Sequence, residues 1–165
     1  MLRAKVPLVM LLFLVVHTSV LDRVHIAGVQ PDVMLLLAVA GGIVGGPKLG
    51  ALLGFGSGLI LDLFLQTPLG LSALVFCLVG YGVGNVQAGV LRASWWIPVV
   101  TTVAACVAGE LAYALVATVV GQPHLVDVNL LKVAAVVGGT NGVLAPIALR
   151  LVGWSVSGAE EHAFA

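Results

Sequence analysis

Three glycines spaced four residues apart, with a carboxylate one turn further on, constrain this chain more than any other feature. They lie in Gly50-Ala-Leu-Leu-Gly54-Phe-Gly-Ser-Gly58-Leu-Ile-Leu-Asp62. On a helix, positions i, i+4 and i+8 share one face, so Gly50, Gly54 and Gly58 form a stripe without side chains. In water such a helix would be weak, since each interior glycine costs ~1 kcal/mol relative to alanine. In a bilayer the same stripe admits a second helix at close range, and van der Waals packing drives the association. Asp62 is then an ionisable group in or near hydrocarbon, which is costly and normally has a partner. The pattern points to an integral membrane protein built on helix packing.

Composition supports that reading. The chain is 61% hydrophobic and 8% charged, whereas a soluble domain carries about 25% charged residues. At ~20 residues per crossing, 165 residues hold about five or six spans and little else. Lys and Arg balance Asp and Glu, so there is no basic footprint for nucleic acid. Cys77 and Cys106 fall inside apolar runs and read as small buried hydrophobes, not as a disulfide or a metal site.

Apolar runs and their breakers predict six spans, at about 6–21, 31–44, 49–65, 71–89, 97–120 and 130–152. Arg3 and Lys5 before the first run resemble the start of a signal peptide, but no small-residue cleavage site follows, so an uncleaved anchor is expected. The second run opens on Pro31-Asp32, a proline and an acidic residue at a helix N-terminus. It stops at Gly45-Gly46-Pro47-Lys48, and the glycine-striped run stops at Gln66-Thr67-Pro68-Leu69-Gly70. Both runs are short for full spans and form either a tight hairpin or a re-entrant pair. With six spans, Arg3, Lys5, Lys48, Arg92 and Arg150 share one side, and Arg23 and Lys132 the other. That asymmetry puts both termini in the cytoplasm, and Trp95, Trp96 and Trp154 mark span ends. The pairs Gly41/Gly45, Gly80/Gly84 and Gly138/Gly142 add close-packing positions on other helices. The glycine faces serve either the chain's own bundle or a partner's helix.

Catalytic and cofactor apparatus is not visible. Gly41 to Gly46 has the opening spacing of a P-loop, but Pro47 stands where its lysine belongs. The glycine clusters around Gly54 and Gly80 miss the dinucleotide spacing and sit in apolar runs. His17, His25, His124 and His162 show no ligand spacing, and His17 reads as a hydrogen-bonded core histidine. No cofactor or metal is expected. The polar groups left in the spans are Asp62 and Lys132 near the outer surface, with Glu110 and Asn141 near mid-span. The two carboxylates either form a proton or cation relay or act as hydrogen-bonded staples between helices. As staples, the expected pairs are Asp62 with Lys132 and Glu110 with Asn141 or Thr102.

The ordered series Pro31-Asp32-Val-Met-Leu-Leu-Leu, Gly50-x3-Gly54-x3-Gly58-Leu-Ile-Leu-Asp62, Pro68-Leu69-Gly70-Leu-Ser-Ala and Val79-Gly80-Tyr81 resembles the MreD family of rod shape-determining proteins. The matched positions are Pro31, Asp32, Gly50, Gly54, Gly58, Asp62, Pro68, Leu69, Gly70 and Tyr81. The Gly-rich second span and a cytoplasmic end with few charges depart from the usual pattern. The resemblance implies an all-α, six-helix membrane bundle similar to the substrate-binding components of energy-coupling-factor transporters. It implies a multi-pass protein of the bacterial cytoplasmic membrane that catalyses no reaction. The implied partners are MreC, and in the wider elongation complex MreB, RodA and a class B penicillin-binding protein. The alternative is the substrate-binding membrane component of a small-solute, vitamin-type transporter.

Overall fold

Long apolar runs separated by Gly-Pro and Pro-Leu-Gly breakers fold as helices joined by short connections. The computed structural model describes residues 2–19, 28–64, 68–89, 96–121 and 130–156. Among them are five helices: α1 Leu2–Ser19, α2 Val33–Phe64, α3 Leu71–Gly89, α4 Ile97–Val119 and α5 Leu130–Val156. By length and composition α4 and α5 can each cross a membrane, α2 qualifies only when counted through Gly46, and the apolar parts of α1 and α3 are shorter. Among the described residues the fold is built of helices, and their length and composition suit a membrane protein.

Val33–Phe64 is not one continuous helix: two helical arms meet at a non-helical residue, Gly46. The stretches 31–44 and 49–65, expected as a tight hairpin or a re-entrant pair, are these two arms, doubled back at Gly46. Gly46 has φ 76° and ψ −172°, a conformation essentially restricted to glycine, and Pro47 behind it brings no backbone N–H. The arms 33–45 and 47–64 then run antiparallel in contact. The Ser57 hydroxyl donates to the Met34 carbonyl at 3.2 Å, and a Cβ on Gly50 would lie 2.7 Å from the Cα of Gly42. At 1.5 Å per residue the arms are ~20 and ~27 Å long, so neither alone matches the ~30 Å of a hydrocarbon core.

The first arm is the centre of the bundle. Every residue from Val33 to Ala40 is buried, as befits a helix that is apolar all round. The second arm and α3 cover one side of it, and α1, α4 and α5 cover the rest. Val9 and Phe13 of α1 are buried in this core, as are Val137, Ala145 and Val152 of α5.

The two ends of the bundle differ in charge. Lys5 places its ammonium 4.8 Å from the centre of the Trp154 ring, a cation–π contact that joins the start of α1 to the end of α5. Pro47 meets Gly84 at the same end, so Lys5, Lys48 and Arg150 gather there. Lys132 stands at the start of α5, at the opposite end, with Asp32 and Asp62. Arg23, Arg92, Trp95, His25, His124, His162, the turn residues 66–67 and the Arg3 side chain lie outside the described residues.

Candidate functional site

The glycine ladder is filled by the chain itself. A Cβ on Gly54 would run into the carbonyl of Phe76, and one on Gly58 would lie 2.5 Å from the backbone of Ala73. One on Gly50 would strike the Gly80 carbonyl, while a Cβ on Gly42 would strike that same carbonyl from the first arm. Gly42, Gly50 and Gly80 thus form a three-way contact of helix backbones. The ladder faces α3, not the surface.

Asp62 completes the same packing. It is 2% exposed, and its carboxylate accepts N–H bonds from Gly70 at 2.8 Å, Ser72 at 3.2 Å and Ala73 at 3.3 Å. These are donors at the start of α3, which have no partner within their own helix. A negative group at a helix N-terminus also meets the favourable end of the helix dipole. The expected Asp62–Lys132 pair is corrected: α3 supplies the donors, and Lys132 is exposed. The turn that brings them round runs through Pro68, whose carbonyl accepts the Leu71 N–H at 3.2 Å, and Gly70, with φ 99°. Leu69 and Tyr81 point outward and are exposed.

Asp32 caps the first arm. Its Oδ1 accepts from the Met34 N–H at 2.9 Å and the Leu35 N–H at 3.1 Å, the geometry of an N-cap aspartate. Asn141, fully buried on α5, donates through Nδ2 to the Asp32 backbone carbonyl at 2.7 Å and to the Cys106 sulfur at 3.3 Å. The expected pairing of Glu110 with Asn141 or Thr102 is therefore corrected as well. Thr102 donates to the Pro98 carbonyl of its own helix at 2.8 Å. The Asn141 Oδ1 is buried with no partner among the described residues. Cys106 is buried, Cys77 is partly buried, and both are free thiols.

A polar cavity of about 340 Å³ opens at this end. His17, Asp32, Ser72, Glu110 and Tyr113 line it, together with apolar residues such as Leu61 and Phe76. Asp32, Glu110 and His17 thus share one cavity. Sequence reasoning singled out Asp62 and Glu110 as the carboxylate pair, whereas the fold brings Asp32 and Glu110 together. No spacing signal could have found that pair, because the two residues meet only through the packing of α4 on the first arm. No group of His, Cys, Asp and Glu able to hold a metal ion occurs among the described residues.

A second concavity runs between α3 and α4 near the other end. It is apolar, has a volume of about 460 Å³, and is lined by small residues including Gly82, Ala104, Ala105 and Ala108. A Cβ on Gly82 would meet no atom within 4 Å, in contrast to Gly80 two residues earlier.

Comparison with known proteins identifies the family. The profile described as rod shape-determining protein MreD matches residues 2–148, from α1 into the last third of α5. The chain belongs to the MreD family. No curated protein and no solved structure matches it, so the expected likeness to energy-coupling-factor components gains no support. Within this MreD protein the ladder and Asp62 build the contact between α2 and α3, and Pro31-Asp32 start the central arm. The family takes its name from rod shape, not from a reaction.

Proposed function

We propose that this chain is a non-enzymatic, multi-pass component of the bacterial elongation complex, with both termini cytoplasmic. In this reading it holds the transmembrane helix of MreC and, through MreC, helps position peptidoglycan synthesis by RodA and its class B penicillin-binding protein along MreB. The observation that carries the reading is the α3–α4 groove. Small residues let helix backbones approach closely in lipid, and here, unlike at the ladder, no atom of the described residues lies within 4 Å of a Cβ on Gly82. The charge asymmetry of the two ends supports the orientation.

The test uses Gly82→Leu and Ala108→Leu. Both positions line the groove; a Cβ on Gly82 meets no atom within 4 Å, and Ala108 is exposed. Co-purification with MreC and complementation of rod shape are expected to fail, while the detergent melting temperature stays near that of the wild type. Retention of MreC by both variants would sink the proposal. The alternative, small-solute transport, has the polar cavity in its favour, and a solute-accumulation assay in vesicles separates it from the scaffold reading.

A further inference from the structure

The cavity at the Asp32 end holds two carboxylates, Asp32 and Glu110, beside the Gln30 amide, the His17 ring and the hydroxyls of Ser72 and Tyr113. Asp32 uses Oδ1 for its helix cap, and Oδ2 has no bond to any described residue. Glu110, half-buried on α4, likewise makes no hydrogen bond or ion pair to a described residue. His17 presents Nδ1 as a buried atom with no hydrogen-bond partner among them. No lysine or arginine among the described residues lines the space. Two neighbouring carboxylates beside an apolar wall repel one another and lose hydration. That arrangement is relieved by a cation that carries several N–H donors and fits a few hundred Å³. A hydrated metal ion is a poorer match, because the described residues provide no ligand group for one.

We propose that this cavity binds a primary ammonium group between Asp32 and Glu110. The ammonium comes either from a phospholipid headgroup or from a free amine. The cavity and the α3–α4 groove share no lining residue, so the two sites can be altered separately.

The experiment is native mass spectrometry of the full chain released from nanodiscs. One arm compares phosphatidylethanolamine with phosphatidylcholine and phosphatidylglycerol, and the other titrates ethanolamine into protein held in phosphatidylglycerol. Retention of phosphatidylethanolamine over phosphatidylcholine assigns the lipid source, and retention of ethanolamine assigns the free amine. In either case Glu110→Gln should weaken retention about tenfold or more, the scale of one hydrogen bond to a charged group. Asp32→Asn, which keeps an oxygen for the cap, is the second variant should the first fail to fold. Absence of both ligands, equal retention of phosphatidylcholine, or wild-type retention by the folded variants would overturn the proposal.

Discussion

The α2–α3 face and the cavity beneath α4 both contain aspartate near a helix N-terminus, yet they are built on opposite terms. At the first, Asp62 is enclosed by three N–H donors from α3 and the surrounding contacts are backbone on backbone. At the second, Asp32 engages one oxygen in its cap and leaves the other toward an open space shared with Glu110. A carboxylate whose acceptors are used up serves the fold, and one with spare acceptors is available to a ligand. The difference also separates glycines: those over α3 are irreplaceable, whereas Gly82 is not.

The largest expected effect is at the ladder. Gly54→Ala adds a Cβ where the Phe76 carbonyl already sits, and a backbone collision cannot be relieved by a rotamer change. Overpacking typically costs 1–3 kcal/mol, and here at least about 3 kcal/mol is expected, read as loss of monodisperse protein or a large fall in melting temperature. A variant that melts with the wild type would show that the close approach of α2 and α3 does not exist. The next effect is at Asp62. Asp62→Ala strands three amide donors and should cost about 2–3 kcal/mol, given the strength of hydrogen bonds to charged groups. Amide exchange at Gly70, Ser72 and Ala73 should accelerate while exchange in α5 does not.

Much of this face was legible in the sequence. The i, i+4, i+8 spacing predicts a close-packed helix, and the burial of Asp62 follows from its apolar surroundings. The partners were not legible, because hydropathy says nothing about which helix lies across a stripe. A signal for the true partner of Asp62 does exist. The turn Pro68-Leu69-Gly70 is too short to carry the next helix away, so the unpaired donors at the start of α3 must return beside the end of α2. The Gly46-Pro47 breaker was legible as the boundary between two apolar segments, and the structure has the bend between two antiparallel helical arms there. The Asp32–Glu110 cavity had no local signal at all, since it arises from the packing of elements distant in sequence.

Gly46→Ala sharpens the contrast between two reasons for glycine. No atom lies within 4 Å of a Cβ built there, so the whole cost is conformational, about 1–3 kcal/mol. That is smaller than the cost at Gly54, and a detergent melt should rank the two in this order. If Gly46→Ala proved the worse, the hairpin bend and not the ladder would dominate the fold.

The smallest effect, and the one that isolates the open region, is Gly82→Ala. Gly82 is helical and its added methyl meets nothing within 4 Å, so neither collision nor backbone strain applies. Alanine lowers the entropy lost on ordering the helix, and the expected change is a gain of at most ~1 kcal/mol. Its neighbour on the same helix, Gly80, faces the Gly50 carbonyl, and Gly80→Ala should be destabilising. The pair therefore compares one substitution on the closed and open faces of α3. A melting temperature unchanged or slightly raised at Gly82 and clearly lowered at Gly80 is expected. Equal losses at both positions would mean that α3 is packed on both faces, which would leave no room in the α3–α4 groove for a partner's helix.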